Sequence, residues 1–185
     1  MSLLIGIDPG LKGAVAAINE HGEVVALQET PVVCVKKGKK TRHEYSEPGM
    51  AALLRSIMNS SPDDRRMFVV IEDVHSMPKQ GVASSFHFGV GYGIWRGIIA
   101  ALRLPCARVG PRVWKAAFKL SNDKGQAIKK ALRLYPQAEL SRVYHGKTLY
   151  HDGRAETLLL AHYALKESGG SKTVKTKLKP SKSKR

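Results

Sequence analysis

Apolar positions along this chain fall into short runs separated by turn residues, and the period of each run decides what it can become. Residues 3–8, 13–19 and 22–29 are rich in Val, Ile, Leu and Ala, and the breaks between them hold Pro9-Gly10 and His21-Gly22. Glycine and proline punctuate extended backbone, so this pattern predicts three consecutive strands in an antiparallel meander. Residues 67–73 are apolar at nearly every position, as expected of a central strand buried on both faces. Cys106–Val109 reads as a fifth, shorter strand.

Helical spacing takes over elsewhere. Glu47–Asn59 sets Met50, Leu53, Leu54 and Ile57 on one face. Residues 84–103 form a long predicted helix in which Gly89, Gly93 and Gly97 recur every fourth position. Each glycine weakens an isolated helix by about 1 kcal/mol relative to alanine, so something is expected to approach that side closely. Tight packing on the domain's own sheet is one reading; a symmetric helix–helix dimer seam is the other. A short helix over 111–118 opens on Pro111, one over 123–134 is capped by Asn122 or Ser121, and the last runs over 152–166. Residues 36–43 (KKGKKTRH) read as a mobile polar loop, facing either DNA or water.

Charge narrows the partner. The formal net charge is +16, and only seven of those charges lie in the Lys- and Ser-rich stretch 168–185, so residues 1–167 carry +9 themselves. A polyanion, above all nucleic acid, is the expected partner, with affinity that falls as salt rises. The organisation expected is one domain over 1–167 and a disordered basic tail over 168–185. Cys34 and Cys106 show neither disulfide nor zinc spacing. The first predicted strand starts within three residues of Met1, so no signal peptide is expected, and neither is a membrane span. An intracellular protein without a small-molecule cofactor is the expectation.

Four carboxylates carry the chemistry. Asp8 ends the first apolar run, Glu72 ends the fourth, and Asp152 and Glu156 stand four apart at the start of the last helix. Unpaired charge at the edge of a core is costly unless a cation waits there. Oxygen ligands without a Cys or His cluster favour Mg²⁺ or Mn²⁺. Plainer roles exist for each acid: Asp8 suits the first corner of a turn, and Asp152 and Glu156 suit a helix N-terminus. Glu72 and Asp73 project to opposite faces of their strand, so only one of them can join Asp8.

The segments IGIDPGLKGAVA, VVIEDV, GYGIWRGIIAAL, VGPRVWKAAF and DGRAETLLLA, in this order, resemble RuvC-type Holliday junction resolvases, and especially their chloroplast and phage branch. The resemblance spans roughly residues 3–165 and implies an α/β, ribonuclease H-like fold: a five-stranded mixed sheet flanked by helices. It implies that Asp8, Glu72, Asp152 and Glu156 hold two Mg²⁺ ions per active site, with Mn²⁺ as a substitute. Such a pair, about 4 Å apart, suits in-line attack on a phosphodiester, leaving a 5′-phosphate and a 3′-hydroxyl. Lys115 matches a lysine near the scissile phosphate, and Lys12, His75, Lys79, Arg112 and Lys124 are further candidate DNA contacts. In typical bacterial members the last two acids are both Asp and three apart; the Asp152/Glu156 pair departs from this, which leaves the division of metals between ligands open.

The expected protein is therefore a homodimeric, metal-dependent endonuclease that nicks four-way branched DNA symmetrically. Rival readings are a nuclease for other branched DNA or RNA–DNA hybrids, and a non-catalytic DNA-binding relative. A sugar-kinase or actin-type phosphate loop would need a second domain for which this chain has no length.

Overall fold

The computed structural model describes residues 2–38, 40–60, 66–75, 81–121, 123–145 and 147–169. Its meander is β1 (Ser2–Ile7), β2 (Ala14–Asn19) and β3 (Val24–Glu29), paired antiparallel in sequence. Beyond a hairpin of β4 (Val32–Lys37) and β5 (Lys40–Tyr45), α1 (Glu47–Asn59) leads into β6 (Arg66–Glu72), which lies parallel to β1. Then α2 (Val82–Ala101) crosses to β7 (Cys106–Val109), parallel to β6. The sheet order is β3-β2-β1-β6-β7, a five-stranded mixed sheet. Helices α3 (Pro111–Ala117) and α4 (Lys124–Leu134), a hairpin of β8 (Ser141–Tyr144) and β9 (Lys147–Tyr150), and α5 (Asp152–Gly169) complete it.

Strand alternation divides the core. Leu3, Ile5, Ile7, Val15, Ala17, Val69 and Ile71 face Met50, Leu54, Ile57, Trp95 and Ile99 of α1 and α2. Leu4, Ala16, Ile18 and Val70 face Trp114, Ala127, Ala131 and the Ala155–Ala164 stripe of α3, α4 and α5. Because successive side chains point to opposite faces, each central strand serves both layers at once. That places β6 as its apolar run predicts, and it brings the ends of β1 and β6 side by side.

Helix α5 comes unusually close to β1. A Cβ at Gly6 would stand 2.5 Å from the carbonyl oxygen of Thr157 and 2.7 Å from the amide nitrogen of Ala161, both of them helix backbone. Thr157 is itself buried and its hydroxyl donates to the Gly153 carbonyl at 2.6 Å. The absent side chain lets the helix sit low enough to hold its first turn against the β1–β2 loop.

Several expectations change. Residues 36–43 are not a loop: they form most of the β4–β5 hairpin, with Lys37 paired to Lys40 around a turn in which Gly38 has φ +63°. A second hairpin over 141–150 was not foreseen. The cap of α4 is Asp123, whose carboxylate accepts from the Gly125 amide, rather than Ser121 or Asn122. Helix α5 continues through Gly169, so the expected tail boundary at 168 falls inside it, and residues 170–185 lie outside the described residues. No helix among the described residues is long and apolar enough to cross a membrane.

Gly6→Ala should lower stability by about 1–3 kcal/mol through overpacking against rigid helix backbone. Urea denaturation checks this, and an unchanged midpoint would mean that α5 can move away from β1 at no cost.

Candidate active site

Asp8 follows β1 directly and is half-buried. Its Oδ1 accepts from the Gly10 amide at 3.0 Å, and its own amide donates to the Ala14 carbonyl at 3.1 Å. The turn role and a place in the site are therefore compatible. Gly10 and Gly13 serve the loop itself: a Cβ at Gly13 would run into the carbonyl of Asp8, and one at Gly10 would lie 3.2 Å from its Oδ1. The loop is wound tightly around its own carboxylate. Tyr45, buried beneath, donates to the Pro9 carbonyl at 3.3 Å. Burial, with the Asp8 charge added, pushes its hydroxyl up to about 12.

Glu72 ends β6 with its side chain on the face of α3 and α5. The indole Nε1 of Trp114 donates to its Oε1 at 2.9 Å. Burial drives the Glu72 carboxyl up to about 7; the Trp114 N–H opposes that shift, the charges of Asp8 and Glu156 reinforce it, and Lys115 opposes it. Glu72 thus feels the charges of Asp8, Glu156 and Lys115 together. Asp73 faces away, accepting from the Tyr92 hydroxyl at 2.8 Å. The two acids thus lie on opposite faces of the strand, as alternation requires, and Glu72 is the one on the side of Trp114.

Glu156, on α5, meets Lys115 Nζ at 2.9 Å, and both side chains are mostly shielded from solvent. Lys115 also lies 5.2 Å from the centre of the Trp114 ring. Asp152 opens α5 half-buried. Its neighbour Gly153 is pressed on the β1–β2 loop, where a Cβ would stand 2.5 Å from the Lys12 carbonyl oxygen. The helix cap is not Asp152. His151 Nδ1 accepts from the Arg154 amide at 3.1 Å, and its Nε2 is 3.5 Å from Glu29 Oε1. A ring nitrogen accepting a backbone N–H is not available to take a proton from water, so His151 is a structural cap rather than a general base.

The structure thus brings Asp8, Glu72, Glu156 and Lys115 into one electrostatic neighbourhood at the ends of β1 and β6, with Asp152 on the adjoining helix turn. Among the described residues no group of three or more His, Cys, Asp or Glu side chains is drawn together tightly enough to hold a metal ion. The donor set nevertheless has the chemistry for a hard divalent cation: carboxylate oxygens, and a shielded Glu72 whose ionised form lacks sufficient counter-charge. Trp114 is core and is also a direct partner of Glu72; its place beside Lys115 on a helix start is the signal the sequence offers for it.

The candidate DNA contacts scatter more widely. Lys12 is exposed on the β1–β2 loop and Arg112 on the first turn of α3. His75 is exposed, 3.9 Å from Asp73 Oδ2. Lys124 begins α4. Lys79 lies outside the described residues. A groove of about 580 Å³ between Gly22–Gln28 and Leu134–Glu139 includes none of the four acids in its lining.

No family model and no curated protein matches the chain. Solved structures do. A structure titled T. thermophilus RuvC in complex with Holliday junction substrate is 15% identical with a TM-score of 0.57, covering 92% of this chain and 97% of that one. A second, titled Thermus thermophilus RuvC structure, is 15% identical with a TM-score of 0.51, covering 91% and 96%. The chain therefore has the ribonuclease H-like fold of RuvC over nearly its whole length.

Since the folded Glu72 keeps a proton that the unfolded chain has already released, the metal-free protein should lose stability as pH rises from about 4.5 through about 7. The loss is on the order of 3 kcal/mol. Glu72→Gln should flatten that slope in urea titrations run with chelator; an identical slope in both proteins contradicts the buried, uncompensated acid.

Proposed function

We propose that this chain is a RuvC-type Holliday junction resolvase, a homodimeric endonuclease that cuts four-way branched DNA with the help of divalent metal. The observation that carries the reading is the gathering of Asp8, Glu156 and Lys115 about Glu72, with Lys115 paired to Glu156, on a fold shared with RuvC. Asp152 joins them from the same face of α5 as Glu156. When bound, two Mg²⁺ or Mn²⁺ ions would make a water nucleophilic and neutralise the leaving oxygen.

The chain's own residues do the rest. Trp114 fixes the Glu72 carboxylate by its N–H and shields it from water with its ring. The Gly10 amide holds one oxygen of Asp8. Lys115 balances the acids in the free protein and offers an ammonium group to a phosphate that displaces it from Glu156. The net positive charge of residues 1–167 draws DNA to an otherwise acidic pocket.

A four-way junction has two-fold symmetry, so its symmetric nicking requires paired sites. The face of α2 carrying Gly89, Gly93 and Gly97 supports α2 as the seam, because among the described residues a Cβ at any of the three would meet nothing within 4 Å. Packing on the sheet does not explain these glycines: Trp95 and Ile99 make that contact on another side of the helix. Phe86 and Val82, on the first turns of α2, are exposed at 73% and 87%.

Two outcomes follow. Given Mg²⁺ and a synthetic four-way junction, the native chain should nick paired strands, whereas Asp8→Asn should bind the junction and leave it intact; equal cleavage by both defeats the site assignment. A flap and an RNA–DNA hybrid, cut more slowly than the junction, separate this activity from that of other nucleases on the fold. Gly93→Ala/Gly97→Ala should stabilise an isolated monomer by up to about 1 kcal/mol per site, since helix propensity improves and space is free. The same pair should weaken the dimer in sedimentation, and unaltered association would remove α2 as the seam.

A further inference from the structure

The β4–β5 hairpin is an unusual investment for a chain of this size. A lone two-stranded ribbon is marginal in water. Here Val32, Val33 and Val35 remain 39%, 45% and 36% exposed, and Lys36, Lys40, Arg42 and His43 are exposed too. Among the described residues the ribbon makes no extensive contact with another element. Among the described residues no carboxylate pairs with Lys36, Lys40 or Arg42.

The root is held firmly, and it is held at the acid pocket. The Thr30 amide donates to the Gly13 carbonyl at 3.0 Å, the Ser46 amide to the Pro31 carbonyl at 3.0 Å, and the buried Tyr45 hydroxyl to the Pro9 carbonyl at 3.3 Å. Both ends of the ribbon are therefore tied to the loop that follows Asp8. Six-residue strands reach about 20 Å from such a root. Arg42 shares one face with Val35 and Lys36 the other with Cys34 and His43, so positive charge is offered on both sides.

We propose that the β4–β5 ribbon is a nucleic-acid arm, lying along the phosphate backbone of a duplex that enters the acid pocket. This rests on the reading of the pocket as a nuclease site and adds where the substrate's flank is held. Charge complementarity identifies the occupant as DNA: unpaired lysines and arginine on an extended ribbon that packs at its Tyr45 root suit phosphates spaced along a strand.

The test uses the full chain in an Asp8→Asn background, so that DNA is bound and not consumed. Lys36→Gln/Lys40→Gln/Arg42→Gln is compared with the parent on a fluorescent four-way junction across 50–200 mM salt. Removing three phosphate contacts should reduce the slope of log affinity against log salt by about 2–3, and reduce affinity about 100-fold near 0.1 M salt. Lys36→Arg/Lys40→Arg, which keeps the charge on the same ribbon, should bind like the parent and so exclude a general folding defect. An unchanged slope and affinity in the triple variant overturns the arm, including the case in which the ribbon engages an acidic protein instead. Binding is the readout, so a native chain that binds but never cuts counts against the pocket's assignment alone.

Discussion

Negative charge gathered without enough positive charge to balance it is the constraint on which the rest of this structure turns. Glu72 is shielded from water, close enough to Asp8 and Glu156 to feel both, and relieved only partly by an indole N–H and one ammonium group. A protein selected for stability alone would have replaced such an acid with an apolar side chain, because burying an incompletely paired carboxylate costs several kcal/mol. The arrangement is sustained by rigid surroundings: Trp114 within the core, α5 seated on Gly6 and Gly153, and a loop wound around Asp8.

The same devices explain how remote parts of the chain meet. Parallel pairing of β1 with β6 brings Asp8 and Glu72 to the same edge of the sheet. Close approach of α5 to β1 carries Asp152 and Glu156 to that edge, and the short α3 supplies Trp114 and Lys115 from consecutive positions. Fold and site are thus one problem. A change that lifted α5 from the sheet would disperse the acids even if every carboxylate were retained.

Much of this was legible in the sequence because each signal was strong and local. The four main strands of the meander and centre, the separation of Glu72 and Asp73 onto opposite faces, and the i, i+4 pair on α5 all follow from backbone periodicity, whereas the choice of Glu72 rested on the resemblance. The hairpins were hidden for a physical reason. Lys36 and residues 40–43 are exposed whichever face of the hairpin they occupy, so the alternation that reveals a half-buried strand is absent, and charge reads as loop. The turn signals were there: Gly38 at φ +63°, and His145 at φ 46° ahead of Gly146, are both turn positions that favour glycine-like backbone. The bond from Trp114 to Glu72 is not legible in the sequence, because size and apolarity argue only for the core and the direction of the indole N–H is a tertiary fact. Whether the glycines of α2 meet the sheet or face outward is likewise decided by helix rotation, which composition does not specify.

The most direct measurement of the central claim is an anomalous difference map from crystals of the native chain soaked in Mn²⁺. The account predicts manganese among the oxygens of Asp8, Glu72 and the Asp152/Glu156 turn, at about 2.1 Å from its carboxylate ligands, with Lys115 withdrawn from Glu156. Manganese absent from that pocket, or bound only elsewhere on the surface while Lys115 stays on Glu156, would contradict it.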